Sequence, residues 1–203
     1  MNPGQAVSAL SILPVIFGVI YFRFSKDRLL PYFFTYCVLI LLIEGLAIGL
    51  LYSGRQNLVV YNFFMLTSFL FSAAILWGEG FSYWKWYLAA GLPVVVGLHI
   101  LGYNTFDAKY YLFVFSCMTV ITMLALMHLV DYADTLFTNP RFWIYGGLLI
   151  YSSSTVILHV IPEFTVLGPR SAPVVDFYYY YKLFLSACTY IMFSIAFYVT
   201  ARI

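Results

Sequence analysis

Charged side chains are scarce in this 203-residue chain: Lys, Arg, Asp and Glu together make up 9% of it, whereas apolar residues make up 64%. So few charges, with a mean hydropathy of +0.93, exclude an ordinary soluble domain, in which about a quarter of the residues are charged. They also leave no basic surface of the kind that binds nucleic acid, so no nucleic-acid partner is expected. The composition predicts an integral membrane protein whose first partner is the lipid bilayer.

Cysteine occurs only three times, and its positions show no paired spacing. A disulfide framework and a zinc site are therefore not expected. We interpret the three side chains as small packing residues within apolar segments. They are Cys37, Cys117 and Cys188.

Long apolar runs are what the chain has in quantity. A bilayer core of about 30 Å requires roughly 20 helical residues per crossing, and seven windows satisfy this requirement. The runs are continuously apolar, whereas the strands of an outer-membrane barrel alternate. We therefore expect an all-α fold, a single domain over residues 1–203 that forms a bundle of seven transmembrane helices. The windows cover residues 6–22, 29–52, 59–77, 86–102, 110–130, 142–161 and 177–200.

The basic residues fall mainly on one side of this expected bundle, which is typical of the cytoplasmic side. The amino terminus is therefore expected outside and the carboxy terminus inside. No basic residue precedes the first window, so we expect a retained helix rather than a cleaved signal peptide. The predicted location is the cell membrane, crossed several times, and the inner membrane if the source is bacterial. The inside set is Arg23, Lys26, Arg28, Lys85, Arg141 and Arg202, against Arg55, Lys109 and Arg170 outside.

Aromatic residues make up 21% of the chain, and many of them lie at the expected ends of the spans. Such positions favour an interfacial aromatic belt over an aromatic-lined ligand pocket, because four consecutive tyrosines cover every side of a helix. The belt would include Tyr83, Trp84, Trp86, Tyr87, Tyr110, Tyr111, Phe142, Trp143 and Tyr178 to Tyr181.

Two ionisable residues, Glu44 and Lys182, lie inside expected spans and are the main functional candidates. At about 1.5 Å rise per residue, Glu44 would lie on the order of 12 Å below the outer end of the second helix, and Lys182 on the order of 9 Å below that of the seventh. An ammonium group at that depth would offset much of the cost of burying a carboxylate. We therefore predict that the two side chains form the floor of an outward-opening polar pocket for a small ligand.

The remaining ligand-binding candidates come from three other helices. Asn62, His99 and His159 would surround the rim, roughly 4 to 6 Å beneath the outer surface. Ser152 and Thr155 share a helix face with His159. An alternative interpretation is that Lys182 reaches up to the outer interface, that Glu44 is protonated, and that the histidines are simply interfacial.

Two weaker patterns accompany these candidates. Gly45 and Gly49 form a G-x-x-x-G spacing that permits close helix approach, and we expect internal packing rather than a dimer face. His128, Asp131 and Asp134 recur every three residues at the inner end of the fifth helix, where a metal or a basic partner would be one interpretation. A solvated helix end is the interpretation we favour.

No cofactor is predicted. A lysine in the last of seven helices invites retinal, but retinal proteins carry an aspartate four residues before that lysine, and Tyr178 occupies this position here. A b-type haem would need two facing histidines, for which His99 and His159 are the candidates. Both cofactors are disfavoured.

The segment NPRFWIYGGLLIYS at residues 139–152 resembles a P-x-F-W-I-x-x-G-x-L-I-Y-x-S pattern of bacterial seven-helix membrane modules. YNFF at 61–64 and IAFY at 195–198 are similar to the same group. Those modules occur alone or ahead of sensor histidine kinase domains, so the resemblance implies a sensory or signal-relaying role. Because the chain stops at Ile203 without a kinase, the expected signal would pass to a separate membrane or cytoplasmic partner.

Several function classes remain open. A receptor-like module fits the outward pocket, and it is the function that we favour. A small-solute transporter or channel would need a polar path to the inner side, where there are only scattered hydroxyls. A structural subunit of a larger complex is a further alternative. An enzyme is not favoured, because Glu44, His99 and His159 are too generic a set to indicate a reaction.

Overall fold

The computed structural model describes residues 7, 9–21, 27–54, 58–101, 108–164 and 172–200. In these ranges the chain is helical, without strands, which confirms the all-α expectation. Each of the seven apolar windows overlaps one helix. The helices are α1 (Ile12–Tyr21), α2 (Leu30–Tyr52), α3 (Leu58–Gly78), α4 (Trp84–Leu101), α5 (Ala108–Tyr132), α6 (Pro140–Phe164) and α7 (Ala172–Thr200).

Three of the helices contain segments long and apolar enough to cross a membrane: Leu30–Leu50 in α2, Tyr110–Tyr132 in α5 and Tyr180–Thr200 in α7. In each of these segments fewer than half of the residues are buried inside the protein. The other apolar side chains point outward, an arrangement suited to lipid and not to water. These helices are those of a membrane protein.

Neighbouring helices pack side by side around the bundle. α1 contacts α2 and α7, α6 contacts α5 and α7, and α3 contacts α2, α4 and α5. Ring contacts show that α2 and α3 are antiparallel, because Tyr32 meets Trp77 while Tyr36, one turn further along α2, meets Phe71. We call the end of the bundle that carries residues 27–29, 79–83 and 133–139 the Arg141 end, and the opposite end the Lys182 end.

An aromatic cluster joins α2 and α7 in the core. The ring of Phe33, which is fully buried, lies 4.9 Å from that of Phe193 and 5.1 Å from that of Phe197. On its other side Phe33 meets Phe71 of α3 at 5.9 Å. Burying aromatic rings contributes much of the packing energy of a core, so these contacts set the distance between α2 and α7.

Only some of the aromatic residues assigned to the interfacial belt are exposed in the structure. Trp86 and Tyr180 are 77% and 58% exposed, as an interfacial belt requires. Tyr110 and Tyr111, however, are buried in the core at 1% and 7% exposure, so their assignment to the belt was wrong. Tyr110 directs its hydroxyl inward and donates to the carbonyl of Asn62 at 3.4 Å, as the polar end of a buried tyrosine usually does.

The glycines of α2 do not pack inside the bundle. Gly45 and Gly49 are exposed, and a Cβ built on either would meet no atom within 4 Å. Close approach occurs elsewhere: a Cβ on Gly147 would lie 2.9 Å from Phe193 Cε1, and one on Gly91 would lie 2.5 Å from Phe69 Cζ. The prediction that the G-x-x-x-G pair serves internal packing was therefore wrong.

Candidate functional site

Glu44 of α2 and Lys182 of α7 lie at about the same level of the bundle. Phe33 of α2 packs against Phe193 of α7, with ring centroids 4.9 Å apart, and each charged residue is eleven positions from that contact along its helix, toward the Lys182 end. The Lys182 side chain is exposed. Whether the two charged groups contact each other stays a prediction.

Asn62, a predicted rim residue on α3, is buried at 3% exposure. Its backbone carbonyl accepts the hydrogen bond from the Tyr110 hydroxyl of α5. His99 and His159 belong to α4 and α6, but their side chains lie outside the described residues. The part of the predicted rim that the structure describes is therefore the Asn62 position alone.

The polar stripe of α6 faces the protein interior, as its spacing indicated. Ser152 is fully buried, and Thr155 is 5% exposed. Thr119 of α5 donates to Ser152 Oγ at 2.9 Å, and Thr155 donates to the carbonyl of Tyr151 at 2.7 Å. These hydroxyls are thus engaged in helix packing in the described structure, and whether they also contact a ligand stays a prediction.

A second polar group lies at the Arg141 end, and the sequence singled out only one of its members, His128. We call this group the Arg141 cluster. It joins side chains from α3, α5, α6 and the residues before α2. Its members are Asp27, Glu79, His128, Tyr132, Arg141 and Tyr145.

Glu79 directly follows Gly78, the last residue of α3. Gly80 adopts a left-handed φ of +77°, which glycine accepts without a steric penalty. The N–H of Gly80 donates to the carbonyl of Trp77, and that of Phe81 to the carbonyl of Leu76, at 3.1 and 2.9 Å. These two bonds form a Schellman cap, which fixes the backbone from which Glu79 projects.

Arg141 is positioned by the start of α6. Pro140 is the first residue of that helix, and Asn139 caps it, because Asn139 Oδ1 accepts the Arg141 N–H at 3.0 Å. The Arg141 guanidinium donates from Nε to Asp27 Oδ2 at 2.7 Å and from Nη2 to Asp27 Oδ1 at 2.9 Å. Asp27 Oδ1 also accepts the N–H of Leu29 at 2.8 Å, so one carboxylate both orders the start of α2 and binds α6.

The Glu79 carboxylate lies between α5 and α6, and its side chain is only 1% exposed. Its Oε1 accepts hydrogen bonds from Arg141 Nη1, at 2.7 Å, and from the Tyr145 hydroxyl. Its Oε2 accepts one from the Tyr132 hydroxyl at 3.2 Å and lies 3.0 Å from His128 Nδ1. Both oxygens of a buried anion are therefore satisfied, as a carboxylate in this position requires.

The helix dipoles do not explain these charges. A carboxylate at the C-terminal end of α3 and a guanidinium in the first turn of α6 each oppose the macrodipole of the nearest helix. With a neutral His128, the cluster holds two carboxylates and one guanidinium, a formal charge of −1. The charges are stabilised by each other across helices and not by their own helices.

The predicted solvated end of α5 is confirmed for two of its three residues. Asp131 and Asp134 are exposed. His128 instead turns toward Glu79, at 44% side-chain exposure, and its ring lies at a tilt to that of Phe81, with the centroids 5.3 Å apart. In the described part of the chain no group of three metal-ligating side chains comes together.

The buried face of α3 carries hydroxyl groups in its middle and becomes apolar toward the Arg141 cluster. The Tyr36 hydroxyl lies 3.3 Å from Ser68 Oγ, and Ser72 donates to the carbonyl of Ser68 at 2.9 Å. Ile75 and Leu76, at 0% and 1% exposure, occupy the next turn of α3 toward the Arg141 end. Apolar side chains therefore separate the α3 hydroxyls from the Arg141 cluster.

No family model, curated protein or solved structure matches the chain. The resemblance to seven-helix sensory modules stays a prediction, and the function is proposed below from the geometry of the described residues.

Proposed function

We propose that the chain is a multi-pass membrane protein of seven transmembrane helices, with its amino terminus outside, that acts as a receptor-like module. A small polar ligand binds at the Lys182 end between Glu44 and Lys182, and the signal passes to a separate partner at the inner side. What supports the proposal is the register of α2 and α7: Phe33 packs against Phe193, and Glu44 and Lys182 are each eleven residues from that contact toward the Lys182 end. A ligand that enters a charged crevice shared by two helices changes their relative position when it binds.

The apolar segment of α3 supports a receptor over a transporter. A transporter or channel needs polar groups along its path, but Ile75 and Leu76 are closely packed between Ser72 and Glu79. At the Arg141 end, the Glu79 and Arg141 pair then ties the helices together. A crevice that opens at one end only suits ligand binding better than solute passage.

Helix α2 provides a mechanical link between the two ends. It spans 23 residues, about 35 Å of rigid rod. Glu44 lies in its second half, and Asp27, which orders its first turn, binds Arg141. A shift of α2 at the ligand site therefore reaches the Arg141 cluster, where the inner partner would detect it.

A thermal-shift experiment on the purified chain in nanodiscs tests ligand binding. The probes are millimolar zwitterionic amino acids, dicarboxylates and diamines, because each could bind between a carboxylate and an ammonium group. We expect one class to raise the melting temperature, since a ligand that binds only the folded state stabilises it. Glu44→Gln and Lys182→Met should abolish the shift, whereas Lys85→Met, at an exposed lysine near the Arg141 end, should retain it.

The proposal fails if no class shifts the melting temperature, or if the shift survives both substitutions. Flux of the same solutes into proteoliposomes would favour a transporter instead. The charge exchange Glu44→Lys with Lys182→Glu supplies a second readout: if the two groups pair, the double variant regains folding that either single variant loses.

A structural subunit is the second candidate, and the exposed Gly45 and Gly49 of α2 favour it, because small residues on an outer face let a second helix approach closely. Gly49→Leu adds bulk to that face at a position where a Cβ meets no atom within 4 Å. If the chain serves as a subunit, a partner should co-purify with it in mild detergent and be lost from Gly49→Leu. Lack of any co-purifying protein would exclude a stable complex.

A further inference from the structure

At the Arg141 end, α2 and α3 share an outer face that carries an arginine, a tyrosine and a tryptophan. Asp27 caps α2, because its Oδ1 accepts the Leu29 N–H at 2.8 Å. The first helical turn therefore begins at Arg28 and places it one turn from Tyr32 on the same side of α2. The ring of Tyr32 lies 5.4 Å from that of Trp77 of α3, at an interplanar angle of 73°. We call Arg28, Tyr32 and Trp77 the Arg28 face.

Close packing between α2 and α3 fixes the backbones that carry the Arg28 face. Leu29 is fully buried and lies against the last residue of α3, since a Cβ on Gly78 would be 3.3 Å from Leu29 Cδ1 and 3.5 Å from Leu29 Cβ. Further along α2, the ring of Tyr36 stacks on that of Phe71 at 4.4 Å. The face is thus built on two helices that hold each other in place, as a preorganised binding site requires.

The three side chains of the Arg28 face offer hydrogen-bond donors to the outside of the bundle. Arg28 is exposed, and Tyr32 and Trp77 are 47% and 38% exposed. In the described part of the chain, none of the three forms a hydrogen bond or an ion pair. The neighbouring carboxylate of Asp27 is bound to Arg141 through both of its oxygens. A guanidinium in the first turn of a helix also opposes the helix dipole, so an external anion would stabilise it.

An apolar strip continues the Arg28 face toward the middle of the bundle. It repeats the side of α2 that carries Tyr32, and the side of α3 that carries Trp77, in steps of seven residues, which are close to two helical turns. Its members are 39%, 61%, 45% and 52% exposed: Leu39 and Leu46 of α2, and Leu70 and Phe63 of α3. The shared surface is therefore basic and rich in donors at one end and apolar along its length. A phospholipid has the complementary distribution, with a phosphate at one end and acyl chains behind it.

We propose that the Arg28 face binds an anionic phospholipid from the leaflet at the Arg141 end. The phosphate oxygens accept hydrogen bonds from the Arg28 guanidinium, the Tyr32 hydroxyl and the Trp77 indole N–H, and an acyl chain lies along the apolar strip. Arginine suits this role because its planar fork of N–H groups binds phosphate through two bonds. A soluble phosphate compound would leave the strip unused. The inference does not depend on Glu44 and Lys182, or on which side of the membrane the Arg141 end lies.

Native mass spectrometry of the full chain in mild detergent tests the site. The chain is titrated with dioleoyl phosphatidylglycerol, with dioleoyl phosphatidylcholine, and with glycerol 3-phosphate, which carries the phosphate without acyl chains. We expect the first phosphatidylglycerol to bind about fivefold more tightly than phosphatidylcholine, because the choline ammonium cancels the net charge that Arg28 attracts. Glycerol 3-phosphate should not bind at concentrations at which phosphatidylglycerol saturates the site.

Substitutions distinguish a specific site from a general attraction to basic residues. Arg28→Gln should weaken binding of the first phosphatidylglycerol on the order of tenfold, the usual effect of a hydrogen bond to a charged group. Tyr32→Phe and Trp77→Phe each remove one donor and keep an aromatic ring, and should weaken it by about threefold. The matched control Lys85→Gln also removes one exposed positive charge at the Arg141 end. Because the Lys85 ammonium lies over the ring of Trp84, 5.7 Å from its centroid, its loss should change the affinity by about twofold or less.

Three results would overturn the proposal. Equal affinity for the two lipids, or an equal loss in Arg28→Gln and Lys85→Gln, would mean that lipids surround the protein without a specific site. Glycerol 3-phosphate that binds as tightly as phosphatidylglycerol would mean a site for soluble phosphate compounds. The melting temperature of each variant confirms that it is folded. If Arg28→Gln fails to fold, unchanged affinity in both Tyr32→Phe and Trp77→Phe would contradict the site.

Discussion

Glu79 shows what a buried carboxylate requires of its surroundings. Four groups from α5 and α6 contact its two oxygens, and one of them carries a permanent positive charge. Desolvating the anion would otherwise cost several kcal/mol. The Schellman cap at Gly80 holds the glutamate where all four groups reach it.

Neutralising Glu79 should therefore destabilise the chain strongly. Glu79→Gln leaves Arg141 without its second carboxylate and places an N–H₂ group against other donors, so we expect the free energy of unfolding to fall by about 3 to 5 kcal/mol. Asp131→Asn is the control at an exposed position and should stay within about 0.5 kcal/mol. Equilibrium unfolding in mixed micelles, followed by tryptophan fluorescence, measures both. Equal free energies of unfolding for the two variants would show that the ion pairs of the cluster contribute no net stability.

The sequence identified Glu44 and Lys182 because each is a charge inside a long apolar window, but it did not identify Glu79. Between Gly78 and Gly80, Glu79 resembles any solvated loop residue, and its partner Arg141 is distant in the chain. The sequence nonetheless contains an indication of this ion pair. An acidic residue at the end of one apolar window and an arginine at the start of another are both unfavourable with respect to the dipoles of their own helices. Such misplaced charges indicate pairing between helices.

Helix faces were less predictable than helix positions. Apolar windows located all seven helices, because spanning length and hydropathy act along the chain. Which face of a helix is buried depends on its neighbours, and hydropathy carries little information about this when every face is apolar. That is why Tyr110 and Tyr111 were assigned to the surface, and Gly45 and Gly49 to the interior.

Alanine substitutions at glycines separate these faces experimentally. Gly91→Ala and Gly147→Ala place a Cβ within 2.5 and 2.9 Å of Phe69 and Phe193 atoms. We expect each to lower the free energy of unfolding by about 1 to 3 kcal/mol through overpacking. Gly45→Ala, which meets nothing within 4 Å, should cause no loss, since alanine favours the helix. Loss of stability in Gly45→Ala would mean that α2 packs differently from the arrangement described here.

The whole bundle has its charges distributed unequally between its two ends. The Arg141 end holds a paired cluster, whereas the Lys182 end carries the half-buried Glu44 and the exposed Lys182. In the proposed receptor-like module, ligand entry belongs to the Lys182 end and signal output to the Arg141 end, on opposite sides of the membrane.

Thiol labelling in intact cells tests the proposed orientation. Ser53 and Ser82 are exposed serines that follow α2 and α3, so they belong to opposite ends of the bundle. We expect a membrane-impermeant maleimide to label Ser53→Cys in intact cells, and to label Ser82→Cys only after permeabilisation, because basic residues keep the Arg141 end inside. The reverse labelling pattern would mean that the protein has the opposite orientation in the membrane. Labelling of both cysteines from outside would exclude the seven-span arrangement.

The proposed binding of a polar ligand between α2 and α7 is tested most directly by a density map of the chain in nanodiscs, obtained by electron cryo-microscopy with a bound antibody fragment. A receptor-like module predicts a compact, non-lipid density in contact with both the Glu44 carboxylate and the Lys182 ammonium group. Acyl-chain density in the crevice, or two side chains turned away from each other, would contradict it.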